Sequence, residues 1–231
     1  MNRTPLVVLK NVTRAYRTAI VKTLALADVD LEIARGEYLA IEGPSGSGKS
    51  TLMTILGLLE EADSGTYSLN GRTVSHLGDS ARARIRSREI GFVFQSFHLI
   101  PEMTAAENVA MPLLYRSDLP SGERRDRVAR ALDQVGMADR ASHYPAQLSG
   151  GQQQRVAVAR ALIGTPSLVL ADEPTGNLDH ENGLRVLELF DELHRAGVTV
   201  VMVTHNPDYA LRASRRVALT DGQIVSTVGA A

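Results

Sequence analysis

A glycine-rich stretch between a predicted strand and a predicted helix constrains this chain more than any other feature. Residues 43–51 read G-P-S-G-S-G-K-S-T, which fits the pattern G-x-x-x-x-G-K-[S/T] of a phosphate-binding loop. Residues 37–42 before it predict a short buried strand, and residues 52–56 after it predict the start of a helix packed on a core. Because strand, loop and helix follow in the order that this pattern needs, the sequence predicts a nucleoside triphosphate site in an α/β fold.

The residue types in this stretch suit the binding of an anion. Gly43, Gly46 and Gly48 lack the Cβ atoms that would stop the backbone from curling around a phosphate. The N–H groups of the loop and the positive end of the following helix can then face the phosphates. Lys49 can bridge the β- and γ-phosphates, and the hydroxyl of Ser50 is placed to bind Mg²⁺. The other loop residues expected at the nucleotide are Pro44, Ser45, Ser47 and Thr51.

The length, charge and cysteine content of the chain exclude several classes of protein. At 231 residues it can form one substantial α/β domain with an inserted subdomain. The net charge of −1 argues against nucleic acid as a partner, and the absence of cysteine excludes disulfides and thiol nucleophiles. No run approaches the ~18 apolar residues of a membrane span, and residues 1–5 lack the apolar core of a signal peptide. We therefore expect a cytoplasmic protein that reaches any membrane through a partner.

Strands are predicted on both sides of the phosphate loop. Residues 6–41 contain apolar runs and a period of two, which is typical of strands. Tyr16 in this region could stack on an adenine ring, although a tyrosine of a half-buried strand has the same context. The arginine-rich segment 79–89 predicts a solvated helix surface or a face toward a membrane or partner. Residues 90–94 predict a strand that ends at Gln95.

A second glycine-containing segment follows a stretch with helical periodicity. Between residues 101 and 147 apolar positions recur at helical spacing, which predicts a helical insertion into the α/β frame. The insertion ends at residues 148–152, which read L-S-G-G-Q. Ser149 suits a helix N-cap, and the glycines at 150 and 151 leave the first N–H groups of that helix bare. This segment is either a second anion site or a plain capped helix start.

Two adjacent acids follow a short apolar run. Residues 167–171 predict a buried strand that delivers Asp172 and Glu173 at its carboxyl end, where ligands gather in open α/β sheets. Asp172 would hold the Mg²⁺ shell, and Glu173 would polarise the attacking water. The same acids could cap the next helix, but the phosphate loop favours the catalytic interpretation. His205 follows another predicted strand, at 198–203, where a lone histidine is usually structural.

Taken together, these segments resemble the ATPase subunit of an ABC (ATP-binding cassette) transporter over nearly the whole chain. Residues 168–174 look like the Walker B strand of that family, with Glu173 as catalytic base. The residues that match its signature sequence are Leu148, Ser149, Gly150, Gly151 and Gln152. The resemblance assigns the Q-loop to Gln95, the H-loop to His205, the D-loop to Asp179 and the adenine-stacking A-loop to Tyr16.

The resemblance implies an α/β fold of the P-loop NTPase class. In this family a RecA-like core carries a small antiparallel β subdomain and an inserted α-helical subdomain. The core and the antiparallel subdomain would take about residues 1–95 and 156–231. The helical subdomain would take about residues 96–155 and end in the signature sequence.

The resemblance also implies an assembly. Two chains would pack head to tail in an ATP-dependent homodimer, with each ATP held by the phosphate loop of one chain and by Ser149, Gly150 and Gly151 of the other. Hydrolysis would open the dimer. The movement would reach separate transmembrane permease subunits, docked at the cytoplasmic face of the membrane in a groove beside Gln95 and the helical insertion.

Each polar residue at the strand ends receives a role from the same resemblance. Glu173 would activate water, while His205 and Gln95 would sense or stabilise the γ-phosphate. Mg²⁺ is expected at Ser50, Gln95 and Asp172. Since every motif position is intact, we expect an active ATPase.

A finer resemblance is to the lipoprotein-releasing and macrolide-export branch of the family, with the cell-division ATPase as a near relative. It rests on residues 171–179, which read A-D-E-P-T-G-N-L-D rather than the commoner S-A-L-D form of the D-loop, and on residues 97–101 and 107–113. In that branch the permease has few spans and a large outer domain, and often transmits force rather than passing cargo. The sequence stops at Ala231, which resembles the stand-alone form of the ATPase.

Two other classes of protein share parts of this sequence. A soluble ABC ATPase of DNA repair or translation would carry a long coiled coil or a second cassette, and this sequence has one cassette and no sustained heptad pattern. A small-molecule kinase built on the same phosphate loop would leave residues 148–152 unexplained. We therefore expect the ATPase subunit of an ABC transporter.

Overall fold

The computed structural model describes residues 5–17, 22–116 and 119–229, and these form two β-sheets and seven α-helices. The strands are β1 (Pro5–Arg17), β2 (Lys22–Ala34), β3 (Tyr38–Glu42), β4 (Ser64–Leu69), β5 (Arg72–Thr73), β6 (Ile90–Phe94), β7 (Leu168–Asp172), β8 (Thr199–Val203), β9 (Arg215–Thr220) and β10 (Gln223–Gly229). The helices are α1 (Lys49–Leu56), α2 (Asp79–Glu89), α3 (Ala105–Ala110), α4 (Ser121–Gln134), α5 (Gly150–Leu162), α6 (His180–Arg195) and α7 (Pro207–Ala210). Within the described ranges, no helix combines the length and the apolar character needed to cross a membrane.

The smaller sheet is antiparallel and has the strand order β2-β1-β4-β5. Its β4–β5 turn is made by Asn70 (φ 54°) and Gly71 (φ 72°). Two successive positive φ values are what a two-residue hairpin turn requires, and asparagine followed by glycine adopts them at low cost. The local sequence therefore fixes this hairpin.

The larger sheet has the order β10-β9-β3-β8-β7-β6 and is parallel except for the pair β9–β10. Its register places four strand ends level: Ile41 pairs with Val203, Val203 with Asp172, and Asp172 with Phe94. The loops after β3, β8, β7 and β6 therefore start on one line. This line runs along the carboxyl edge of the sheet, where open α/β folds bind their ligands.

Both faces of the parallel sheet are buried, because successive side chains of a strand point to opposite faces. On β3, Tyr38 and Ala40 pack with buried residues of α5, α6 and the helical insertion. Leu39 and Ile41 pack with α1 and the antiparallel sheet. All four side chains are fully buried, so the strand before the phosphate loop is held on two sides.

The segment between β6 and β7 holds α3, α4 and α5, which confirms the predicted helical insertion. On α4, Val128, Ala131 and Leu132 are buried at the predicted helical spacing. The predicted combination of an α/β core, an antiparallel sheet and inserted helices is confirmed. The division into subdomains stays a prediction; its boundary at residues 155 and 156 falls inside α5, so that helix runs through both parts.

Candidate functional site

The phosphate loop is tight at its base and open at its tip. A Cβ on Gly43 (φ 152°) would lie 2.1 Å from the carbonyl oxygen of Leu219, and one on Gly48 (φ 102°) would lie 2.3 Å from that of Ala25. Around Gly46 (φ 79°), by contrast, no atom beyond the two adjacent residues of the chain lies within 4 Å of the Cβ position. Glycine is thus required at the base by close packing, and the tip forms a cradle that a phosphate can enter.

Helix α1 begins without a side-chain cap. Its N-cap is Gly48, so the first N–H groups of the helix receive no side-chain acceptor. Lys49 Nζ donates hydrogen bonds to the carbonyl oxygens of Gly43 (2.7 Å) and Pro44 (2.8 Å). The ammonium group therefore lies beside the loop, and both it and the helix N-terminus are suited to an anion.

At the end of β7, Asp172 interacts electrostatically with both Glu173 and Lys49. Burial raises the pKa of Asp172, as does the neighbouring charge of Glu173, while the positive charge of Lys49 acts to lower it. The interpretation of the two acids as a helix cap is wrong, because α6 begins at His180 and its N-cap is Asp179.

Glu173 and His205 form a direct contact. His205 Nδ1 lies 2.8 Å from Glu173 Oε1; the glutamate side chain is 17% exposed and the histidine side chain 75% exposed. The backbone of Glu173 is left-handed (φ 45°), and its N–H donates to the carbonyl oxygen of Val203. The acid is thus fixed by backbone and side chain, while the histidine faces solvent at the mouth of the site.

Gln95 directly follows β6 and pairs with a residue that sequence reasoning missed. Its Nε2 donates to Asn177 Oδ1 (3.2 Å), and Asn177 Nδ2 donates to the backbone oxygen of Gln95 (3.1 Å). The two residues are 82 positions apart, so no local pattern could have found the pair. Asn177 lies in the T-G-N-L-D segment that marked the branch, which was the only available signal.

Helix α5 holds the segment after Gln95 through two further residues that the sequence did not single out. Phe97 (φ 56°) and His98 (φ 50°) are consecutive left-handed residues, and Arg160 donates to both of their carbonyl oxygens. Buried Gln154 donates to the carbonyl oxygens of Phe94 and Pro174. These bonds fix the Q-loop to the helix that starts with the signature sequence.

The signature sequence forms a complete helix start. Ser149 Oγ accepts the N–H of Gln152 (3.3 Å), and Gln152 Oε1 accepts the N–H of Ser149 (2.9 Å), which is a capping box. A Cβ on Gly151 would lie 2.4 Å from Asn182 Oδ1, and Asn182 is held by Asp179. The predicted N-cap is confirmed, and of the first turn the N–H groups of Gly150 and Gly151 remain open to an acceptor. Leu148 is buried beneath the turn.

Tyr16 lies near the end of β1, opposite Thr23 of β2. Its hydroxyl donates to Glu60 Oε2 (2.7 Å), and the guanidinium carbon of Arg14 lies 5.1 Å from its ring centroid. Tyr16 is 39% exposed, and its stacking on adenine stays a prediction. The carbonyl oxygen of Ala25, two residues after Thr23 on β2, borders the phosphate loop at Gly48, so the antiparallel sheet that carries Tyr16 reaches the loop.

The structure thus gathers one group of predicted residues and leaves another apart. The level ends of β3, β7 and β8 bring together a group of four interacting residues. Asp172 interacts electrostatically with Lys49 and Glu173, and Glu173 contacts His205. A Cβ on Gly150 would instead lie nearest to Leu178, Phe97 and Asn177, and one on Gly151 nearest to Asn182. The N-termini of α1 and α5, on separate elements, are therefore the two candidate anion sites of the chain.

The sequence matches the protein-family model described as "ABC transporter" over residues 26–176. It is similar to the uncharacterized ABC transporter ATP-binding protein YvrO of Bacillus subtilis (strain 168), with 49% identity over 217 residues that cover 94% of each chain. It is also similar to the macrolide export ATP-binding/permease protein MacB of Bradyrhizobium diazoefficiens, with 50% identity over 222 residues. That match covers 96% of this chain and 34% of MacB, so the chain spans about a third of that relative.

Among solved structures, the fold is similar to the ATP-binding cassette MJ0796 in a dimeric, post-hydrolysis state bound to ADP and Pi. The TM-score is 0.89 at 42% sequence identity, and the match covers 97% of this chain and 99% of that chain. A second dimeric structure of MJ0796, described as a bacterial ABC transporter cassette, gives the same values.

Proposed function

Because this chain belongs to the ABC transporter family of ATP-binding proteins, we propose that it is the ATPase subunit that powers a separate membrane permease. The chain binds and hydrolyses ATP, as its family does. The observation that carries the proposal is the line of level strand ends, which brings the phosphate loop, Asp172, Glu173, His205 and Gln95 to one edge of the sheet.

ATP would be held by the loop residues 43–51 through backbone N–H groups and the charge of Lys49. In exchanging the two loop carbonyls for phosphate oxygens, the Lys49 ammonium would pair with acceptors that are themselves charged, so attraction between opposite charges would add to its hydrogen bonds. The side chain of Tyr16 would stack on the adenine, with its ring held between Arg14 and Glu60.

The residues at the strand ends fit a magnesium ion that is bound mainly through the nucleotide. Among the described residues no group of three His, Cys, Asp or Glu side chains could hold a metal. Mg²⁺ usually keeps several waters and takes only one or two carboxylates together with phosphate oxygens, so a cage of acidic groups is not needed. Asp172 would supply a carboxylate, Ser50 and Gln95 would supply further oxygen atoms, and the bound ion would neutralise phosphate charge.

Glu173 is the residue best placed to take a proton from water. Its carboxylate follows β7 directly, is mostly buried, and is oriented by His205. A general base must be held within hydrogen-bond reach of its proton, and the fixed backbone of Glu173 serves this. His205, with its exposed ring, would face the γ-phosphate.

The two anion sites of one chain are explained by a head-to-tail homodimer. Ser149, Gly150 and Gly151 would bind the ATP that lies on the partner's phosphate loop, with Gln152 holding the cap and Asp179 at the interface. The similar cassette MJ0796 is dimeric, which supports this arrangement.

The permease would dock in a groove of about 550 Å³ between the core and the helical insertion. Its floor includes Phe92 and Phe94, whose rings stack at 5.5 Å, and its rim includes Tyr115, which is 76% exposed. The described lining residues include Arg84, Arg86 and Arg160 but no aspartate or glutamate. This groove therefore suits a helical segment with an apolar face and acidic ends.

The branch resemblance and the macrolide-export relatives favour export, lipoprotein extraction or force transmission, at the cytoplasmic face of the inner membrane. A soluble ABC ATPase of DNA repair or translation is not favoured, because the similar curated proteins are named as transporter ATP-binding or export proteins. We expect no nucleic-acid partner.

The test is to tag the Glu173→Gln variant, express it in its native host with ATP present, and identify what co-purifies from solubilised membranes. This variant should bind ATP, turn it over slowly and accumulate as a closed dimer. A permease with few spans and a large outer domain is the expected partner. Recovery only from the soluble fraction, with ribosomes or nucleic acid attached, would overturn the proposal.

A matched pair of variants tests the groove. Tyr115→Ala in the tagged chain should reduce recovery of the permease, since Tyr115 lines the groove. Leu114→Ala is the control, because Leu114 is similarly exposed (62%) but is not among the groove residues. Equal recovery with both variants would place the docking surface elsewhere.

A further inference from the structure

The pair between Gln95 and Asn177 ties the loop after β6 to the loop after β7. Each residue donates one hydrogen bond to the other, at 3.2 and 3.1 Å. Gly176 packs against the same side chain, since a Cβ there would lie 2.7 Å from Gln95 Nε2. Gln95 is exposed, so this pairing is what restricts its side chain.

The backbone carbonyl in this pair decides which way both amides face. A carbonyl oxygen only accepts, so Asn177 must turn its Nδ2 toward the backbone oxygen of Gln95. Asn177 Oδ1 then faces the Gln95 side chain and needs a donor, which only Nε2 can supply. The other amide atom, Gln95 Oε1, is therefore left free by Asn177.

The orientation matters because the two ends of an amide differ chemically. Mg²⁺ binds oxygen ligands, so an amide turned by half a rotation would present an NH₂ group that the ion rejects. We propose that Asn177 is a positioning residue that fixes the oxygen of Gln95 as the metal-facing atom. This inference rests on the metal role of Gln95 in the proposed function.

Asn177 also explains what the T-G-N-L-D segment, residues 175–179, does in the structure. In the S-A-L-D form of this loop, no amide stands in the place of Asn177, and Gly176 would be replaced by a residue with a Cβ. Here the space beside Gly176 is taken by the Gln95 amide. The glycine and the asparagine thus act together, one by making room and the other by setting the orientation.

Equilibrium binding of ATP with and without Mg²⁺ tests the inference in the Glu173→Gln background, where turnover does not interfere. The quantity compared is the Kd for a fluorescent ATP analogue in EDTA divided by the Kd in excess Mg²⁺. Asn177→Leu should lower this ratio about tenfold, the size typical of losing a partner that orients a metal ligand. Its Kd in EDTA should be unchanged. Asn177→Asp keeps an acceptor for Gln95 Nε2 and should retain most of the ratio.

Gln95→Ala separates failure of the inference from failure of the proposed metal role. If Gln95→Ala lowers the ratio and Asn177→Leu does not, Asn177 has no positioning role. If Gln95→Ala leaves the ratio unchanged, Gln95 is no metal ligand, and both the role and the inference are overturned.

A measurement on the nucleotide-free protein checks the pair itself. In ¹⁵N-glutamine-labelled chain, the Gln95 side-chain signal is identified by its loss in Gln95→Ala. One of its amide protons should exchange more slowly with water than those of exposed glutamines. That protection should disappear in Asn177→Leu, and its absence from the unsubstituted protein would contradict the hydrogen bond.

Discussion

Helix α1 begins at a glycine that offers its first N–H groups no acceptor, whereas α5 begins at Ser149, which caps its own helix. Both N-termini are proposed to bind the same kind of ligand, a nucleotide phosphate. Only α5, however, has a helix start completed by its own side chains.

The acids beside the two helices differ in the direction in which the folded chain shifts their pKa. Beside α1, burial and the charge of Glu173 raise the pKa of Asp172, so the ionised acid is a cost to the folded chain. Beside α5, hydrogen bonds from Asn182 lower the pKa of Asp179, so the ionised acid stabilises it. The site at α1 therefore has an uncapped helix start and an acid whose charge is unfavourable, both of which a bound ligand would relieve. The site at α5 has a capped helix start and a stabilised acid, and offers the proposed partner chain only backbone N–H donors.

The largest effect is expected from a substitution that disrupts only the site at the start of α5. Ser149→Arg should lower kcat about 100- to 1,000-fold, the range for losing donors that stabilise developing charge, because the arginine blocks contact with the partner's nucleotide. ATP binding by a single chain should stay near that of the unsubstituted protein. Steady-state ATPase assays and equilibrium titration measure the two quantities; hydrolysis that survives would contradict the head-to-tail arrangement.

Lys49→Ala breaks the first site alone. The loss of a charged hydrogen bond, worth about 1.5–3 kcal/mol, should weaken ATP binding about 10- to 100-fold. Titration with a fluorescent ATP analogue measures it, with Ser149→Arg as the control that keeps affinity. Undiminished binding would remove Lys49 from the phosphate site.

Gly151→Ala tests whether the start of α5 is a packed, finished structure. The new methyl group would meet Asn182 Oδ1 at 2.4 Å, so the free energy of unfolding should fall by about 1–3 kcal/mol. Gly150→Ala is the matched control, because its nearest contact is an ordinary 3.5 Å to Leu178. Urea denaturation measures both; equal stabilities would mean that Asn182 moves aside freely.

The smallest effects are charge effects of opposite sign. Because the pKa of Asp172 is raised, its favourable contribution is present at low pH and lost as pH rises through the folded value, so Asp172→Asn should stabilise the nucleotide-free chain at pH 7. The pKa of Asp179 is lowered, and its contribution is present at pH 7 and lost as pH falls through the folded value. Asp179→Asn should therefore slightly lower the stability of the folded chain at pH 7. Thermal unfolding from about pH 3 to 7, a range that spans the ordinary aspartate pKa of ~3.9, measures both, and changes of the same sign in the two variants would remove the contrast.

Local patterns explain why so much of this arrangement could be predicted. The phosphate loop, Ser149 as an N-cap and the strand before Asp172 each depend on residues close in sequence. The contacts of Asn177 and Arg160 with the Q-loop join residues 82 and 62 or 63 positions apart, and only the folded sheet and α5 bring them together. The choice between a catalytic pair and a helix cap also needed the observed start of α6.

The level strand ends fix the distance between the loop after β3 and the loop after β6. From β3 to β6 there are three strand spacings, or about 14 Å at ~4.8 Å each. This distance separates the phosphate loop, which follows β3, from β6, whose residues Phe92 and Phe94 line the groove. Backbone hydrogen bonds between the strands set the distance, whichever side chains the strands carry. Residues of the groove could therefore change during evolution, and with them the proposed membrane partner, while the spacing between the strand ends stays the same.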